Sequence, residues 1–125
     1  MRRIRSKDMT PELHVRRLLH HLGYRYRLHR KSLPGQPDII FPKLKKAIFV
    51  HGCFWHQHSD PACKITRLPK SRLDYWTPKL ARNKQRDEES IALLVKLGWK
   101  VLVVWECDVE DKGRLPAELV TFLKS

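Results

Sequence analysis

Apolar and polar positions along the chain alternate between two periods, and the changes of period mark the elements. From Thr10 to Leu22, Val15, Leu18, Leu19 and Leu22 recur at helical spacing, which predicts an amphipathic helix. Thr10 is a suitable N-cap, Pro11 suits the first helical position, Glu12 favours the positive end of the helix dipole and Gly23 ends the run. Tyr24 to Leu28 alternates apolar residues with arginine, the signature of a strand with one buried face. Two short apolar runs follow, Ile39–Phe41 and Ala47–Val50, separated by Pro42 and lysines, and they predict a hairpin-like pair of buried strands. Asp74 to Leu97 reads as a long helix with Trp76, Leu80, Ile91, Leu94 and Leu97 inward and Gly98 as its stop. Lys100 to Trp105 predicts another buried strand, and Pro116 to Lys124 a short terminal helix.

Two places break these patterns. Continuing the inward stripe of the long helix through its middle lands on Asn83 and Asp87, one turn apart, where core residues are expected. Either these polar residues face a polar partner inside, or the stripe drifts and both face solvent. The second break is Ala47 to His58, AIFVHGCFWHQH, which begins as a strand and turns at Gly52. His51, Cys53, His56 and His58 then crowd together, interleaved with the large rings of Phe54 and Trp55. Core packing alone does not select that set. Asp38 adds a carboxylate at the head of the first apolar run, after the turn-rich Leu33-Pro34-Gly35-Gln36-Pro37, and the hairpin brings it toward Val50 to His56. Taken alone it is a solvated aspartate beside a proline; with those neighbours it is a candidate metal ligand.

Composition narrows the field. A chain of 125 residues with 42% hydrophobic and 31% charged content supports one domain, residues 1–125, with a modest core. The apolar runs are several-fold too short to span a bilayer and the basic amino terminus has no apolar signal region, so a cytosolic protein with no membrane role is expected. The formal charge of +13, from 26 Lys and Arg against 13 Asp and Glu, creates a field that attracts polyanions, with nucleic acid first among them. Residues 1–8 form a basic arm, with Met1, Arg2, Arg3, Arg5 and Lys7 as candidate backbone contacts. An odd number of cysteines, three, argues against a disulfide framework. Cys53, His58 and Cys63 are spaced C-x4-H-x4-C and Cys107 follows a later strand, so either four ligands hold a tetrahedral zinc or the thiols are separate and buried.

The string from Phe49 to His56, preceded by Pro34 to Asp38 and followed by Val103-Val104-Trp105-Glu106-Cys107, closely resembles the very short patch repair (Vsr) DNA mismatch endonucleases over nearly the whole chain. The resemblance implies a restriction-endonuclease-like α/β core, a mixed sheet flanked by helices, with a structural zinc. It implies that Asp38 and the Val50 carbonyl hold catalytic magnesium, that His56 is the general base, and that His51 and Glu12 position water and phosphate. Asp87 joins this catalytic set. Cys53, His58, Cys63 and Cys107 match the zinc ligands, and Phe54 and Trp55 match aromatics inserted into the base stack beside a T:G mismatch. The implied activity is nicking of one strand beside the mismatched T, initiating very short patch repair of deaminated 5-methylcytosine. Double-stranded DNA is then the partner of a monomeric enzyme, with a cognate cytosine methyltransferase and repair proteins in the background. Val50 stands where a threonine occurs in well-known members, a change tolerable where only its carbonyl serves. Two other readings share these residues: a nicking nuclease with broader mismatch or sequence choice, and a zinc-stabilised DNA-binding module without catalysis.

Overall fold

The structure is a computed structural model, and it describes residues 11–28, 33–53, 71–110 and 114–125. Among these residues a four-stranded sheet runs in the order β1 (Arg27–Leu28), β2 (Ile39–Phe41), β3 (Lys46–His51) and β4 (Lys100–Trp105). β1 and β2, and β2 and β3, pair antiparallel, with Ile39 opposite Ile48 and Phe41 opposite Lys46. β3 and β4 pair parallel, from Lys46 opposite Lys100 to His51 opposite Trp105. A parallel pair needs a long crossover, and α2 (Leu73–Lys96) lies within it. α1 (Pro11–His21) precedes the sheet, and α3 (Arg114–Lys124) follows a short 3-10 turn at Glu106–Glu110.

Alternation along the strands decides which helix covers which face. Ile39, Phe41, Ile48 and Val104 join Val15 and Leu19 of α1 and Leu115, Leu119 and Leu123 of α3 in one buried cluster. Ile40, Ala47, Phe49 and His51 are the intervening residues of β2 and β3, and all are buried. On that second face Phe49 and His51 share a pocket with Asp87, Ser90 and Ile91 of α2. The sheet is therefore sandwiched, with catalytic candidates on the α2 side.

Local expectations hold with adjustments. Gly23 takes a left-handed φ of 91°, and the Tyr24 amide bonds back to the Leu19 carbonyl at 3.0 Å, closing α1 as a glycine C-cap does. Thr10, its expected N-cap, lies outside the described residues. The alternating segment from Tyr24 half-buries Tyr24, Tyr26 and Leu28 as predicted, but only Arg27 and Leu28 pair, opposite Ile40 and Ile39. Leu97 is a correction: it caps α2 and is 55% exposed, whereas Leu80 and Leu94 are buried. β4 is less buried than expected, only Val104 being fully so, because it occupies an edge of the sheet. The terminal helix starts at Arg114 rather than Pro116, since proline is accommodated in a first turn.

Lys46, whose place at the start of β3 suggests an exposed side chain, is only 4% exposed on the α3 face. Its ammonium donates to the oxygens of Phe122, Leu123 and Ser125 at 2.9, 2.7 and 2.9 Å. A cation thus caps the C-terminal carbonyls of α3, where the helix dipole is negative. β3 and α3 are locked together by it.

Candidate active site

The turn that delivers Asp38 is built by its sequence. Pro34 and Gly35 occupy the middle of a turn closed by a 3.0 Å bond from the Gln36 amide to the Leu33 carbonyl, and Gly35 has φ 73°. Proline then glycine with positive φ is what a type II turn requires. Gln36 continues left-handed at φ 49°, a conformation that costs a non-glycine residue about 1 kcal/mol or more. Pro37 is buried, and the chain emerges with Asp38 at the start of β2.

There the Asp38 Oδ2 accepts a 2.7 Å hydrogen bond from the Val50 amide on the neighbouring strand. A strand residue turns its N–H and C=O to the same flank. The Val50 carbonyl therefore also projects toward the side occupied by the Asp38 carboxylate. A pocket of about 160 Å³ opens beside them, lined by Gly35, Gln36, Asp38, Phe49, Val50, His51, Asp87, Ser90 and Ile91. His51, 5% exposed, is held between aromatic neighbours, with ring centroids 5.5 Å from Phe49 and 5.2 Å from Trp105. Asp87 enters from the middle of α2, half-buried, and Asn83 one turn earlier is half-buried as well. The interrupted stripe thus turns inward, and its polar Asp87 faces the pocket.

Glu12 is not among the pocket's lining; it pairs with Arg16 at 3.5 Å along α1. His56, Phe54, Trp55, His58, Cys63 and the arm residues Met1, Arg2, Arg3, Arg5 and Lys7 lie outside the described residues. Of the proposed zinc set, Cys53 is buried and Cys107 half-buried. The register of β3 against β4 sets each of them two residues past the paired His51 and Trp105, at one end of the sheet. Two carboxylates organise that end, and sequence reasoning missed both. Glu106 Oε1 accepts from the Cys53 amide at 3.3 Å, and Asp108 Oδ2 accepts from the Trp105 amide at 3.1 Å. Acids just after a strand were the available signal.

The oxygen donors at Asp38 suit a hard cation, which takes carboxylate and carbonyl ligands and retains water. Among the described residues no three His, Cys, Asp or Glu side chains converge into an all-protein metal cage. A carboxylate, a backbone carbonyl and an open pocket fit magnesium better than a caged ion.

The family described as DNA mismatch endonuclease Vsr matches residues 1–62. The type II nicking enzyme V.XorIIP of Xanthomonas oryzae pv. oryzae (strain KACC10331 / KXO85) is 54% identical over 123 residues, covering 98% of this chain and 88% of that protein. The chain belongs to the Vsr family of DNA mismatch endonucleases. That membership makes it a DNA endonuclease. A second Vsr relative, DNA mismatch endonuclease Vsr of Escherichia coli (strain K12), is 38% identical over 121 residues, covering 97% of this chain and 76% of its own. Among solved structures, the catalytic domain of the homing endonuclease I-Bth0305I superposes with a TM-score of 0.63 at 18% identity, covering 92% of this chain and 94% of that one. The Vsr chain therefore has the restriction and homing endonuclease-like fold, a mixed sheet with helices.

Proposed function

We propose that the protein is a magnesium-dependent endonuclease that nicks one strand of duplex DNA beside the T of a T:G mismatch, initiating very short patch repair of deaminated 5-methylcytosine. The observation that carries this reading is the Asp38 carboxylate held against the Val50 backbone at the mouth of a pocket that Asp87 and His51 also line. Family membership and the net charge of +13 support duplex DNA as the substrate.

Asp38 and the Val50 carbonyl are the groups that would hold magnesium, which when bound polarises the scissile phosphate and offsets charge on the leaving oxygen. The Asp38–Val50 hydrogen bond fixes the carboxylate before any ion arrives, so little reorganisation is left for the reaction. His56 takes the proton of the attacking water, a role suited to imidazole because its ordinary pKa lies near cellular pH. His51, pinned between Phe49 and Trp105, and Asp87 orient the polar groups around the phosphate, with Glu12 as a further positioning residue. Cys53, His58, Cys63 and Cys107 are the residues that would hold a structural zinc, which would tie the segment between Cys53 and Cys63 to the ends of β3 and β4. Phe54 and Trp55 wedge into the stack, where a mispair lowers the cost of unstacking and so favours mismatched DNA.

The test is single-turnover nicking of duplexes that differ by one mismatch. The parent protein should cut T:G with magnesium and leave T:A intact. Asp38→Ala should abolish cutting while retaining mismatch binding, and His56→Ala should slow the chemical step with little effect on binding. Cutting by Asp38→Ala at the parental rate would sink the assignment.

A further inference from the structure

Gly35 sits where the Asp38 turn, β3 and α2 meet. A Cβ built on it would lie 2.7 Å from Ser90 Cβ, 3.0 Å from Ser90 Oγ and 3.2 Å from Phe49 Cε1. Carbon atoms do not approach to 2.7 Å without something moving. The nearest obstacle is not the swinging end of a long side chain but a Cβ fixed to the backbone of α2, so the turn or the helix would have to retreat. Ser90 is also three residues beyond Asp87, on the same helix face, and both line the pocket with Asp38. The gap between the Asp38 turn and the Asp87 face of α2 is thus set at the point where Gly35 touches Ser90.

We infer that Gly35 and Ser90 form the spacer that fixes the width of the Asp38 pocket, which makes Ser90 a positioning residue for the nicking reaction. The inference rests on Asp38 being the metal-holding carboxylate. Its physical content is distance: a small residue on the helix and none on the turn let the two acidic elements approach closely enough to serve one ion and one phosphate. Phe49 supports the turn from beneath, and its ring also packs against His51, so a displaced turn disturbs three of the pocket's walls together.

The full chain and its Gly35→Ala, Ser90→Gly and Gly35→Ala/Ser90→Gly variants are compared in single-turnover nicking of a T:G duplex across a magnesium titration. Duplex binding without metal and thermal melting are measured alongside. Gly35→Ala should raise the magnesium concentration for half-maximal rate by about tenfold, in keeping with the cost of a small misplacement near the chemistry. Metal-free binding should stay within about twofold, because the spacer acts on the metal-holding carboxylate and is not itself one of the residues proposed to contact DNA. The double variant should return the magnesium midpoint to within about threefold of the parent, since removing the Ser90 Cβ makes room for the new methyl. Left-handed strain at residue 35 is common to the single and double variants, and glycine at residue 90 weakens the helix. A purely structural effect therefore predicts a double variant no better than Gly35→Ala, and that result overturns the spacer.

Should Gly35→Ala fail to melt cooperatively, Ser90→Val presses on the same contact from the helix side while leaving the turn's glycine in place. It should raise the midpoint as well, and a parental midpoint there overturns the inference. Asp38→Ala is included to separate the two readings. If it nicks normally the active-site assignment fails; if it is inactive and the double variant shows no rescue, only the spacer fails.

Discussion

Asp38 is bonded to the amide of Val50 and not to its side chain, through a 2.7 Å contact to Oδ2. Residue 50 therefore acts through its backbone, and its valine side chain packs against the core shared by α1 and α3. Val50→Thr, which substitutes a β-branched residue of similar shape, should leave the nicking rate within about threefold, since neither the amide nor the carbonyl changes. Single-turnover rates check this. A loss of a hundredfold or more would mean that the side chain takes part in the chemistry.

Lys46 makes a different kind of contact, on the α3 face of the sheet rather than the α2 face that holds the pocket. Its buried ammonium holds three oxygens at the end of α3. Lys46→Met keeps much of the volume but strips those carbonyls of their donor, and should lower stability by about 2 kcal/mol or more. Urea denaturation measures that difference. Once folded, the variant should nick at close to the parental rate, because Lys46 caps a helix and does not line the pocket.

The helices were legible from apolar residues at helical spacing, and β2 and β3, buried on both faces, from short continuous apolar runs. Ile39 and Ile48 face one layer, Phe49 and His51 the other, and the break in the α2 stripe at Asp87 falls on the face that lines the Asp38 pocket. Asp38 was readable as a candidate metal ligand from its place at the head of a strand paired with the His51 strand, and from the resemblance to the Vsr endonucleases. What stayed hidden depends on contacts between residues far apart in the chain. Lys46 reaches carbonyls more than seventy residues away, Glu106 reaches Cys53, and Gly35 abuts Ser90. A period of two or of 3.6 carries no record of such pairs. A lysine at the start of a strand reads as solvated until the helix end above it is known.

Zinc is the next expectation to test. Cys53 and Cys107 lie at one end of the sheet, and with His58 and Cys63 they should hold one zinc per chain. Metal binding of this kind contributes directly to folding. Cys107→Ser should release the metal and lower the melting temperature, and a strong chelator should do the same to the parent. Elemental analysis supplies the stoichiometry. A metal-free protein that melts at the parental temperature and nicks normally would show that the thiols serve packing alone.

Substituting Trp55 is the experiment that separates recognition from chemistry. If its ring stacks beside the mismatch, truncation removes a contact worth about 1 to 3 kcal/mol, as base–aromatic stacking is elsewhere. Preference for T:G over T:A in binding should then fall by about tenfold or more in Trp55→Ala, because the ring enters the stack more readily where pairing is already weak. The magnesium midpoint should not move, since Asp38 and the Val50 carbonyl are untouched by the change. Equilibrium binding to both duplexes and a magnesium titration of the residual nicking check the two halves separately. A shifted midpoint with unchanged preference would reverse the roles, assigning Trp55 to the metal site and leaving mismatch recognition to other residues.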